Sequence, residues 1–256
     1  MQALREVTME PIVITDLTKY FKAKRARSVE AVKNLSLTVK HGEVIGFLGP
    51  NGAGKSTTIK ILMGLIKPTS GHARIMGHEA GTHHARKQVG YLPENPAFYE
   101  FLTGEEYLDF VGKTFNMANT LLSSRSKYVL DLFELWDARK RAIRNYSKGM
   151  VQRLGLAQTL IHDPDVYIFD EPMSGLDPIG RKMVSDLILE LKAREKTIFF
   201  SSHILSDIER CCDKAAIIVG GTLRLIHDLH DRGSKNDTLE SIFLREAGKT
   251  VSNNAL

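Results

Sequence analysis

The chain has 256 residues, 43% of them hydrophobic and 25% charged, with a formal net charge of +5. That is ample for one large α/β domain with its own core, and too ordinary in composition for a disordered or fibrous protein. No apolar run approaches the roughly 18 residues needed to span a bilayer, and Met1 to Glu10 lacks the apolar stretch of a secretory leader.

In chain order, Ile12 to Ile14 opens a strand ending near Leu17, and Leu35 to Val39 alternates as a second. Tyr20 and Phe21 lie between them, followed by a basic loop with Lys22, Lys24, Arg25 and Arg27. No aromatics are interleaved with those charges, so the loop reads as a solvated surface and no nucleic-acid partner is expected. Glu43 to Leu48 is a short apolar run with the character of a buried strand, and Thr57 to Leu65 has helical spacing. After the turn Pro68-Thr69-Ser70-Gly71 come two more strands, Ala73 to Met76 and Val89 to Leu92.

Beyond Pro93 the pattern turns helical. Thr103 caps a helix with Glu105 and Glu106 in its first turn, a second helix covers Ser126 to Phe133, and a third begins near Ser147 and runs to Ile161. Strands return at Val166 to Asp170 and Thr197 to Ser201, separated by a helix over Ile179 to Leu191. Gly220-Gly221 marks a hairpin between Ala215 to Val219 and Leu223 to Ile226, and one helix is expected near the end, Leu239 to Arg245. Cys211 and Cys212 are adjacent, which disfavours a mutual bridge and suits a reducing compartment.

Chemistry concentrates in Gly49-Pro50-Asn51-Gly52-Ala53-Gly54-Lys55-Ser56, followed by Thr57. It fits Gly-x4-Gly-Lys-[Ser/Thr] with an apolar strand before it and a helix after it, the context in which that pattern binds phosphate. Glycines let successive N–H groups turn inward on phosphate oxygens, and the helix presents its positive end. Lys55 is then expected on the β- and γ-phosphates of a nucleoside triphosphate, with Ser56 a Mg²⁺ ligand. Asp170-Glu171 closes the apolar strand from Val166, which makes Asp170 the second Mg²⁺ partner and Glu171 the group that polarises the attacking water.

With these motifs placed, the chain from Ile12 to Ile226 resembles the ATP-binding subunit of an ABC transporter. Tyr146-Ser147-Lys148-Gly149-Met150 falls at the family's signature sequence, Ser174-Gly175-Leu176-Asp177 resembles the D-loop, and His203 resembles the switch histidine. Phe21 matches the aromatic that stacks on adenine, and Glu94 stands at the Q-loop position, where it would serve the metal or a water. The resemblance implies an α/β fold: a P-loop NTPase core with a RecA-like mixed sheet and flanking helices, an antiparallel β subdomain, and an inserted α-helical subdomain. It divides the chain into an ATP-binding domain over residues 1–226, with core 1–93 and 162–226 and insertion 94–161, and a tail over 227–256 with one short helix.

The same resemblance implies two subunits that sandwich two Mg-ATP, each nucleotide lying between one phosphate loop and the other subunit's Ser147, Lys148, Gly149 and Met150. The second subunit is either another copy or a related ATPase chain. Lys148 and Met150 depart from the usual Leu-Ser-Gly-Gly-Gln, as Glu94 does from the usual Gln. These departures resemble the subgroup of exporters whose ATPase and integral-membrane permease are separate chains, with the ATPase peripheral on the cytoplasmic face of the membrane. In that family the permease groove lies between core and insertion, along Glu94 to Thr103. Pro96, Phe98, Tyr99 and Phe101 there suit either a docked permease helix or packing of the insertion onto the core. The rival reading is a soluble ABC-type ATPase acting on ribosomes or nucleic acid; such proteins carry paired ATPase units, a coiled coil or zinc-binding cysteines. A P-loop kinase has no use for the signature, D-loop and His203 together.

Overall fold

The computed structural model describes residues 10–22, 28–231 and 238–253. Residues 1–9, and Lys24, Arg25 and Arg27 of the basic loop, lie outside the described residues. Two sheets, eight α-helices and one short 3-10 helix (Ile143–Asn145) make up the described architecture.

The first sheet is antiparallel. Strand β1 (Ile12–Phe21) is hydrogen-bonded to β2 (Val29–Val39) on one side and β4 (Ser70–Ile75) on the other, and β4 pairs with the two-residue β5 (His78–Glu79). Alternation in β2 puts Leu35, Leu37 and Val39 inward and their neighbours outward, the mark of a sheet with one wet face.

The second sheet has the order β10-β9-β3-β8-β7-β6. Its strands β3 (Val44–Leu48), β6 (Val89–Leu92), β7 (Val166–Phe169), β8 (Thr197–Ser202) and β9 (Lys214–Val219) are parallel where they pair. β10 (Thr222–Asp228) closes the edge as an antiparallel hairpin through Gly220 and Gly221, both at positive φ. The central strands β3, β7 and β8 are buried at every position because both faces are covered. Ile45, Phe47, Ile168 and Phe199 point toward the antiparallel sheet and α1 (Lys55–Leu62). Leu48, Tyr167, Phe169, Ile198 and Phe200 point into the larger helical side.

That helical side holds α3 (Gly104–Thr114), α4 (Asn119–Leu132), α5 (Lys148–Leu160), α6 (Pro178–Ala193) and α7 (Leu205–Cys211), while α2 (His83–Lys87) leads into β6. Thr103 caps α3 through a reciprocal capping box with Glu106. Several bounds differ from the sequence expectation. α1 stops at Leu62 because Gly64, at φ 68, takes the left-handed turn that ends a helix. α4 starts seven residues before Ser126; only Leu122 of that added stretch is buried, so the stretch has no apolar face to betray it.

The terminal helix α8 is longer than Leu239 to Arg245 and runs Leu239–Asn253. It sits against β9 and α7, and Leu239 and Ile242 belong to the main core. Truncating Ile242 to Ala should therefore lower global stability by about 2–5 kcal/mol, readable as a fall in melting temperature. An unchanged melt would make α8 a peripheral appendage.

Candidate active site

The parallel order sets the site. β3, β8, β7 and β6 are successive neighbours, and the chain leaves their carboxyl ends as Gly49-Pro50, His203, Asp170-Glu171 and Pro93-Glu94 respectively. Four segments far apart in sequence thus meet along one edge, where open α/β sheets hold ligands. A cavity of about 420 Å³ opens there, lined by Asn51, Gly52, Ala53, Gly54, Lys55, Ser56 and Thr57, with Glu94, Glu171, Ser174, His203 and Ala31. Gly54 caps α1 at φ 106, and a Cβ there would lie 2.3 Å from the Ala31 carbonyl oxygen. Only glycine fits where β2 approaches the loop this closely.

Lys55 is 5% exposed. Its ammonium donates to the Gly49 carbonyl at 2.7 Å and the Pro50 carbonyl at 3.3 Å, and pairs with Glu171 Oε1 at 3.1 Å. The other Glu171 oxygen lies 2.8 Å from His203 Nδ1. Glu171 adopts φ 50, a left-handed conformation uncommon for a carboxylate side chain. Its N–H donates to Ser201 Oγ at 2.9 Å, and the same hydroxyl donates to Asp170 Oδ1 at 2.7 Å. The sequence assigned Ser201 no role beyond the strand; its contacts to Asp170 and Glu171, about 30 residues earlier, arise only where β8 lies beside β7.

Ser56 Oγ donates to Asp170 Oδ1 at 3.1 Å. Burial holds the Asp170 carboxyl above the usual carboxylate range, against the lowering effect of the Ser201 and Ser56 hydroxyl bonds. A carboxylate that is costly to ionise and faces a hydroxyl is a half-made hard-cation site. Among the described residues no three His, Cys, Asp or Glu side chains are grouped to hold a metal alone. That donor set fits Mg²⁺, which takes one or two carboxylates and completes its shell with phosphate oxygens and water.

The residues expected to form the signature lie elsewhere. Ser147 is the N-cap of α5, its hydroxyl accepting from Met150 N at 3.3 Å. Ser147, Lys148, Gly149 and Met150 line a separate cavity of about 460 Å³ together with Gly175, Leu176 and Asp177. Asp177 caps α6, accepting from Gly180 N at 2.7 Å. Ser174 faces the phosphate-loop cavity while the three residues after it face the signature cavity, so one short segment joins the two.

The family model for the ABC transporter matches residues 32–174. The chain belongs to this family. It is 46% identical over 84% of its length to an uncharacterised ABC transporter ATP-binding protein of Nostoc sp., covering 66% of that relative. It is 42% identical over 83% of its length to the bacitracin transport ATP-binding protein BcrA of Bacillus licheniformis, covering 68% of it. A solved ATP-binding subunit of an ABC transporter superposes with a TM-score of 0.82 at 30% identity, over 91% of this chain and 98% of that one. The chain spans about two thirds of the length of these curated relatives, and 56% of a further one from Synechocystis sp..

Within this ABC fold, an α/β P-loop core with an antiparallel β subdomain, not every expected residue lines the phosphate-loop cavity: Gly49, Pro50 and Asp170 lie outside its lining, and so does Phe21. Phe21 ends β1 with its ring 43% exposed and Lys19 Nζ 5.2 Å from its centroid, and it does not line the phosphate-loop cavity. The aromatic run at the insertion divides. Phe98 packs onto the core, edge-on to Tyr107 at 4.8 Å, whereas Tyr99 and Phe101 are 54% and 71% exposed and form a patch with Phe110.

Proposed function

We propose that this chain is the ATP-hydrolysing motor subunit of an ABC exporter, working as a dimer around two Mg-ATP and driving a separate integral-membrane permease. The observation that carries the reading is the Lys55–Glu171–His203 arrangement inside the phosphate-loop cavity, with oxygen distances of 3.1 and 2.8 Å. A carboxylate poised between a phosphate-binding ammonium and an imidazole is arranged for hydrolysis as well as binding.

In this reading the N–H groups of the loop from Gly49 to Thr57 hold the β- and γ-phosphates, and Lys55 leaves Glu171 for them. Freed from Lys55, Glu171 accepts a proton from the attacking water, while His203 contacts the γ-phosphate from the same subunit. Ser56 and Asp170, with Glu94 lining the same cavity, would hold Mg²⁺, which would neutralise charge on the phosphate oxygens. Phe21 provides an exposed ring for adenine, outside the phosphate cavity. The two-cavity arrangement supports a composite site. Ser147 to Met150 line a cavity of their own, away from the phosphate loop; this supports the arrangement the family resemblance implies, in which these residues of one subunit serve the nucleotide of the other. ATP then closes the pair and hydrolysis opens it.

The division into core 1–93 and 162–226, insertion 94–161 and tail 227–256 belongs to the same proposal. So does a peripheral position on the cytoplasmic membrane face; among the described residues no helix is long and apolar enough to cross a membrane. Export is favoured by the likeness to the bacitracin transport protein.

The exposed aromatic patch supports a permease surface at the insertion. Tyr99, Phe101 and Phe110 present aromatic rings to solvent at the edge of the insertion, as a coupling helix would require. Changing Tyr99 and Phe101 together to Ala should weaken permease binding by about 10-fold or more, with ATP affinity unchanged. Equal loss of both would make the pair packing residues and sink the docking role.

A further inference from the structure

The turn carrying Glu171 is held from two directions. On one side Ser201 of β8 accepts the Glu171 N–H. On the other, the carbonyl of the next residue, Pro172, accepts a hydrogen bond from Gln152 Nε2 at 3.3 Å, with Gln152 only 9% exposed. Proline has no N–H, so that carbonyl is its one polar backbone group, and an unsatisfied buried carbonyl costs about 1–3 kcal/mol. The Glu171 φ of 50 is a strained conformation that persists only where its surroundings over-determine it. Gln152 is one of the few groups doing so.

Gln152 also sits on a particular helix. α5 begins at the Ser147 cap, and Gln152 lies five residues later, about 7.5 Å along a rod with a rise of about 1.5 Å per residue. The far end of that rod is the signature. Buried contacts through Leu154, Leu156, Ala157 and Leu160 hold α5 in the core, so its N-terminal turn and Gln152 move together.

We propose that Gln152 is a positioning residue that ties the alignment of Glu171 to the seating of its own subunit's signature on the partner's nucleotide. The inference rests on the motor reading above. α5 displaced at Ser147 shifts the Gln152 amide and, through the Pro172 carbonyl, the Glu171 carboxylate, so the seating of the signature on the other nucleotide is felt at Glu171.

The test uses the full chain with Gln152→Met, which keeps length and removes the donor, and Gln152→Glu as a second variant of the same shape. Three quantities are read with Mg-ATP: kcat, ATP affinity, and ATP-driven dimer formation in a Glu171→Gln background. Hydrolysis by the unaltered chain checks the motor reading separately. The expected result is a fall in kcat of about 10- to 100-fold with affinity and dimer formation preserved, because a misplaced base slows chemistry without removing binding. Unchanged kcat in both variants overturns the proposal. So does a fall in affinity or dimer formation as large as the fall in kcat, which would reduce Gln152 to a packing residue of α5.

Discussion

Replacing Glu171 by Gln should slow ATP turnover by about 10²–10⁴-fold, the range for loss of a general base. ATP affinity should hold or rise. The reason lies in the Lys55–Glu171 contact. Glu171 Oε1 sits 3.1 Å from Lys55 Nζ, and both side chains are almost fully buried, 5% and 9% exposed. The carboxylate therefore competes with phosphate for the same ammonium. A neutral amide of the same shape removes the competitor and leaves the backbone N–H to Ser201 untouched. Binding and hydrolysis should thus separate, seen as tight ATP binding with almost no phosphate release. Turnover within about threefold of the unaltered protein would mean that another group activates the water.

Lys55→Ala should have the opposite signature, with ATP affinity down by roughly 10²-fold or more as the charge-assisted contacts to phosphate vanish. It should also destabilise the nucleotide-free protein, because Glu171 then loses its cation inside the cavity and keeps only His203. Breaking a buried pair from one side costs about 3–5 kcal/mol, more than the pair contributes when whole. Adding Glu171→Gln to Lys55→Ala should recover most of that stability and none of the affinity. A double-mutant cycle on melting and on ATP binding measures both terms. Additive stabilities would show that the 3.1 Å contact carries no coupling.

Much of this site was legible in the chain because its signals are local. The phosphate loop is one contiguous pattern between an apolar strand and a helix, and Asp170-Glu171 ends a run of four fully buried residues. Other parts depend on tertiary contacts that no short stretch declares. Ser201 matters because β8 lies beside β7, and Gln152 because α5 passes behind Pro172. The helix Leu205–Cys211 escaped notice because seven residues with polar neighbours give almost no periodic signal. Its first turn nonetheless carries Asp207, bonded to Arg181 at 2.6 Å, which joins the segments after His203 and after the D-loop. Phe21 rests on residue type and motif order alone: it ends β1 partly exposed beside the Lys19 ammonium, and no neighbouring stretch declares its role.

The motor account is tested most directly by what the ATP-trapped protein holds on to. A tagged Glu171→Gln form, purified with Mg-ATP from detergent-solubilised membranes, should bring down a polytopic membrane protein that has no phosphate loop of its own. Tyr99 and Phe101 changed to Ala in the same background should release it. Recovery of ribosomes or nucleic acid, with nothing from the membrane, would contradict the account and favour a soluble ABC-type ATPase.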